Sequence, residues 1–212
     1  MNTQELIALL DRLRAEPREA EWLEFKANHF EPQQLGEYIS ALANSACLLC
    51  KPRAYLVFGI ADASHAVVGT SFDAAVVSVK GKSGNGNQLL PLWLSLGLHP
   101  NTGYEIYPFD YQGKRVVLIE IHPAFDRPVE FYGKAFIRDG TSKTELAKYP
   151  DKQRQIWSRR TDWSFGICEG ATLADLDPAA IVKARTEFKT KFPTKLKEVD
   201  GWDDSTFLNK PS

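Results

Sequence analysis

Between Glu19 and Lys26 the chain reads Glu-Ala-Glu-Trp-Leu-Glu-Phe-Lys, three carboxylates and a lysine around a short apolar strand. From Trp22 onward the residues alternate with a period of two, which puts Leu23 and Phe25 on one face and Trp22, Glu24 and Lys26 on the other. Glu24 is thus fixed to a rigid element. Glu19 lies five residues earlier, where a bend would bring its carboxylate alongside that of Glu24, and two such groups repel unless a cation or proton sits between them. Asp62 stands at the mouth of a hairpin that returns through Val67-Val68-Gly69-Thr70. Carboxylates at sheet ends and hairpin mouths supply oxygen ligands suited to Mg²⁺ or Mn²⁺. An ion held by Glu19, Glu24 and Asp62 would polarise a phosphodiester and supply a hydroxide, which makes these three the candidate catalytic and metal residues. The wet face of an edge strand would carry Glu24 and Lys26 equally well.

A phosphodiester substrate also needs cations. The stretch 133–160 holds Lys134, Arg138, Lys143, Lys148, Lys152, Arg154, Arg159 and Arg160 against Asp139, Glu145 and Asp151, an excess of five positive charges in a chain of net charge −1. Such segregation favours a polyanion-facing surface, with Tyr149 and Trp157 as stacking groups. The competing reading is a solvated helix face. Two other motifs carry less. Gly81-Lys82-Ser83 has the end of a phosphate loop, but Val76 occupies the place where the first glycine is required. Cys47 and Cys50 have zinc-ligand spacing without a second pair, and on a helix they read as small buried hydrophobes.

The elements that must position these groups are legible as patterns. Leu6, Leu9, Leu10 and Leu13 give an amphipathic helix over 3–15, with Asn2 or Thr3 as its cap. A second helix starts near Pro32, buries Leu35, Tyr38, Ile39, Leu42, Ala43 and Ala46, and carries small residues that let it lie close against a sheet. The run 55–60 reads as a central strand. A Trp/Leu-rich helix over 88–96 has Asn87 as its natural cap. Residues 104–111 and 115–121 form a hairpin around Gln112-Gly113, and 129–132 and 135–138 turn at Gly133. A basic helix opens at Pro150, and Asp177-Pro178 caps another that ends near Phe192. The fold class is therefore α/β in the α+β sense, with a mixed, partly antiparallel sheet flanked by helices. The expected division is a domain over 1–160 and a helical extension over 161–212.

Composition sets the outer bounds. With 43% apolar and 25% charged residues, the chain of 212 has material for one sizeable core. No apolar run approaches the length of a membrane span, and the N-terminus lacks the layout of a signal peptide. Three cysteines do not suggest a secreted disulfide framework. Cytoplasmic placement is the expectation.

Several motifs share one order. Glu19-x4-Glu24-Phe25-Lys26, Ile39-Ser40-Ala41-Leu42-Ala43-Asn44, Leu56-Val57-Phe58-Gly59-Ile60-x-Asp62 and Val68-Gly69-Thr70 come first. Pro128-Val129 and Gly133-Lys134-Ala135-Phe136-Ile137-Arg138-x-Gly140-x-Ser142 follow. Together they resemble the Schlafen AlbA-like domain, also called the divergent-AAA DNA-binding domain, over roughly residues 16–145. The resemblance implies a mixed-sheet α/β domain that binds DNA or RNA, in a bacterial regulatory or defence protein with further domains downstream. Lys26, Lys134, Arg138, Ser142 and Lys143 become the expected nucleic-acid contacts. Metal-dependent endoribonucleases acting on transfer RNA are among the eukaryotic relatives, and their three acidic residues match Glu19, Glu24 and Asp62 in type and approximate spacing. Two departures bear on this: Lys51-Pro52-Arg53 stands where Gly-Gly is frequent, and Ala63 where a second carboxylate often follows Asp62. Three readings remain: a nucleic-acid-binding module, a divalent-metal-dependent endoribonuclease, and a protein-interaction or assembly domain. The last leaves a homo-oligomer open.

Overall fold

A computed structural model describes residues 1–16, 20–81, 86–159 and 170–209. The first helix, α1 (Thr3–Arg14), is closed at its start by a capping box in which Asn2 accepts from the Glu5 N–H and Glu5 accepts from the Asn2 N–H. β1 (Leu23–Lys26) leads into α2 (Pro32–Leu48), which crosses over to β2 (Ala54–Phe58), parallel to β1. A small hairpin of β3 (Ser78–Lys80) and β4 (Asn87–Leu89) precedes α3 (Leu90–Gly97) and the two-residue β5 (Leu98–His99). Asn87 therefore pairs in a strand opposite Lys80 and does not cap the helix, which starts two residues later than the sequence suggests.

The long hairpin of β6 (Tyr104–Tyr111) and β7 (Lys114–Ile121) turns at Gln112-Gly113, both at positive φ, as a two-residue hairpin loop requires. Tyr132-Gly133 makes the same turn between β8 (Glu130–Phe131) and β9 (Lys134–Asp139), and β10 (Ser142–Glu145) adds a third strand. The basic helix α4 (Pro150–Ser158) follows.

Two four-stranded sheets result, with orders β1-β2-β7-β6 and β10-β9-β8-β5, and α+β is the observed class. The first sheet is covered on both faces. Leu6, Leu9, Leu10 and Leu13 of α1 pack with Leu23, Phe25, Val57 and Leu118 on one side. Leu35, Ile39, Leu42 and Ala46 of α2 pack with Leu56, Phe58, Val117 and Ile119 on the other. The second sheet lies against α2 as well, through Phe131 and Ile137.

Contacts divide the chain into two compact units, 1–161 and 162–212. The second contains α5 (Pro178–Lys191), started by an Asp177 side chain that accepts from the Ala179 N–H, then α6 (Leu196–Val199) and α7 (Asp204–Asn209). Among the described residues no helix is long and apolar enough to cross a membrane.

Candidate functional site

Strand parity turns Glu24 away from the α1 face and toward α2, as the alternation requires. The solvated-face reading does not survive. The Glu24 side chain is only 3% exposed, and its carboxylate is ion-paired with both Lys26 and Arg138, whose own side chain is fully buried. Arg138 arrives there by parity too. Lys134, Phe136 and Arg138 share one face of β9, and Phe136 is buried on it. Burial depresses the tendency of Lys26 to hold its proton, but the hydrogen bond and charge of Glu24, with Tyr38 and Asp62, outweigh burial and raise its pKa. The Tyr38 phenol is held protonated by burial, by the Glu24 charge and by its hydrogen bond to Glu24.

Tyr38 is the hub of this cluster. The Lys26 and Lys143 ammonium groups lie 5.2 and 4.7 Å from its ring centroid, and the Arg138 guanidinium 5.8 Å. Register explains the last two, because Lys143 of β10 sits directly opposite Arg138 of β9 and so projects from the same face. Lys143 also pairs with Glu37, one residue before Tyr38 on α2. Burial opposes the Glu37 anion, yet hydrogen bonds from Lys143 and Gln33 hold its pKa below the usual range. A small opening beside Lys26 is lined by His29, Phe30, Gln34 and Tyr38.

The expected acidic cluster is only partly visible. Glu19 lies outside the described residues. Asp62 is more than half exposed and stands 3.9 Å from the Lys26 ammonium, so Lys26 links it to Glu24. A divalent ion needs carboxylate oxygens with charge to offer, and those of Glu24 are engaged by two cations. Among the described residues no three His, Cys, Asp or Glu come together in a way that could hold a metal.

The basic stretch also folds into something more balanced than its composition. Lys134 pairs with Glu145 at 2.8 Å, Lys152 with Asp139 at 3.3 Å and Arg154 with Asp151 at 3.3 Å, while Arg138 and Lys143 take Glu24 and Glu37 from elsewhere in the chain. Of the expected nucleic-acid contacts, Lys134 is 64% exposed, Lys26 and Lys143 are partly exposed, and Ser142 is exposed opposite Asp139. Arg138 is enclosed. Trp157 is exposed, whereas the Tyr149 hydroxyl donates to Asp139. Arg160 and the loop 82–85 lie outside the described residues. Cys47 is buried and Cys50 exposed at the end of α2, where Arg159 contacts the Cys50 sulfur.

The sequence reading missed Tyr38 and Glu37 as members of the site. By its spacing Tyr38 joins the helix's apolar stripe, and the signal that could have found it is a polar-tipped ring directly after Glu37 on the same helix.

Compared with known proteins, residues 19–147 match the family model described as Schlafen, AlbA_2. No curated protein matches the chain. Among solved structures, the crystal structure of the DIP2311 protein from Corynebacterium diphtheriae is similar at 18% identity and a TM-score of 0.42, over 95% of this chain. This chain spans 35% of the length of that one.

Proposed function

The chain belongs to the Schlafen AlbA_2 family of nucleic-acid-related domains, and on that premise we propose that it binds DNA or RNA across the face built from Tyr38, Lys26 and the β9–β10 hairpin. What carries the reading is the Tyr38 ring with three cationic groups around it, one of them, Lys143, on a partly exposed ion pair. Exposed ion pairs contribute only about 0–1 kcal/mol. Lys134 can therefore exchange Glu145 for phosphate oxygens at little cost, Lys143 gives up the more enclosed Glu37 at greater cost, and the phosphate contacts carry no base preference.

Fluorescence anisotropy with labelled single-stranded DNA and transfer RNA tests this. Lys134→Ala/Lys143→Ala should weaken binding roughly tenfold or more at low salt, while Lys183→Ala in the second unit leaves it unchanged. Equal weakening by both variants, or none by the first, would remove this face from the reading. Cleavage of the RNA that requires Mn²⁺ would replace the binding reading with the endoribonuclease reading. Failure to bind any polyanion would favour an assembly role.

A further inference from the structure

A second cavity lies at the opposite end of the β1–β2 pair. The two strands are parallel, with Trp22 and Tyr55 at their start and Lys26 and Phe58 at their finish. A four-residue strand rises about 13 Å, so this cavity is separate from the Tyr38 cluster. Its volume is about 290 Å³, and it opens between the last turns of α1, the residues before β1 and the loop that follows α2.

Its walls have two kinds of chemistry. Leu9 and Leu13 of α1 form an apolar floor, and the Trp22 and Tyr55 rings stand edge to face with centroids 6.1 Å apart. Three cations line the mouth: Arg12, Lys51 and Arg53. Arg53 is paired with Glu120 at 2.9 Å. Neither Arg12 nor Lys51 has a carboxylate partner among the described residues, and the Lys51 ammonium lies 4.8 Å from the Trp22 ring centroid. Arg12 also meets the carbonyl end of α1, where a cation is favoured without any ligand. That accounts for Arg12, but not for the cavity or for Lys51. Glu16 is the one carboxylate on the lining, so the mouth keeps a positive balance.

A planar ring against Trp22 and Tyr55, with an anionic group reaching Arg12 and Lys51, satisfies both halves of the cavity at once. Small-molecule sites run from about 300 to 1,000 Å³, so this one admits a single nucleotide and is too small for a dinucleotide cofactor. We propose that the cavity is a binding site for a nucleoside 5′-monophosphate, its base on the aromatic pair and its phosphate between Arg12 and Lys51.

The full chain should be titrated with adenosine 5′-monophosphate, adenosine, inorganic phosphate and a 5′-phosphorylated trinucleotide, followed by calorimetry and by tryptophan fluorescence. The nucleotide should saturate, and adenosine or phosphate alone should bind at least about tenfold more weakly, because each engages one half of the cavity. Arg12→Ala/Lys51→Ala alters two exposed side chains, so the fold should persist while nucleotide affinity falls at least about tenfold. Trp22→Phe should remove the nucleotide-dependent fluorescence change. Tighter binding of the trinucleotide, with the same dependence on Arg12 and Lys51, would assign the ligand to a nucleic-acid end, and tighter binding of the mononucleotide to the free metabolite. The proposal is overturned if the nucleotide shows no saturation in the millimolar range, or if its affinity is the same in the Arg12→Ala/Lys51→Ala variant.

Discussion

Glu24 holds two cations in a place that water hardly reaches, and its removal leaves the Arg138 charge buried with less to balance it. Breaking a buried pair from one side costs about 3–5 kcal/mol, whereas replacing both partners with apolar groups of similar size is often neutral. Glu24→Ala should therefore lower stability by about that amount in urea unfolding, and Glu24→Leu/Arg138→Met should recover most of it. Equal stability of Glu24→Ala and wild type would mean the ion pair contributes nothing. The variant is consequently a poor probe of chemistry taken alone. Glu37 makes a gentler prediction, because its pKa is lowered in the folded state. A depressed carboxylate stabilises the fold above its unfolded pKa, and that contribution is lost as pH falls through the folded value. The stability lost between pH 7 and about pH 3 should thus be smaller in Glu37→Gln than in wild type. An unchanged difference would exclude Glu37 as a contributor.

The pattern of Glu24 was readable at this scale because a strand's parity is local. Its burial was not, since the cover comes from Arg138, more than a hundred residues along the chain.

At the scale of elements, α2 organises the domain by satisfying backbone that no neighbouring strand reaches. Asn44 donates to the Val129 and Phe136 carbonyls at 2.9 and 2.8 Å and accepts from the Val129 N–H at 2.8 Å. Ser40 donates to the Val129 carbonyl and accepts from the Phe136 N–H, and Ser45 accepts from the Arg138 N–H. These bonds fix β9 in the register that delivers Arg138 to Glu24. Each unsatisfied buried group costs about 1–3 kcal/mol, so Asn44→Ala should destabilise the domain by at least about 2 kcal/mol in urea unfolding. A loss under about 0.5 kcal/mol would contradict this account. Gly36 belongs to the same docking, since a Cβ there would sit 2.1 Å from the Phe131 ring. The small residues on α2 announced close packing in the sequence, but not that their hydroxyls and amide would serve as hydrogen-bond partners. The start of α3 was misplaced for a related reason. Asn87 is a good cap in isolation, and pairing with Lys80 in a hairpin takes precedence.

For the molecule as a whole, the segregation of charge along the chain is largely undone by folding. Tertiary pairing brings Glu24 and Glu37 to cations of the basic stretch, an outcome that composition over a window cannot register. The mixed α+β class and the two Gly hairpins of the first 145 residues were legible because turns, periodicities and motif order agreed with one another, whereas the division into two four-stranded sheets rests on long-range pairing that no local pattern carries. The central claim is that Lys134 and Lys143 trade carboxylates for phosphates while Lys26 adds a phosphate contact without leaving Glu24, and its most direct test is the dependence of nucleic-acid affinity on salt. A plot of log affinity against log salt for single-stranded DNA should be linear with a slope of about −2, roughly −0.7 for each of three phosphates neutralised. Lys134→Ala/Lys143→Ala should reduce that slope by more than half. An affinity unchanged between low and high salt, or a slope untouched by the double substitution, would contradict the account.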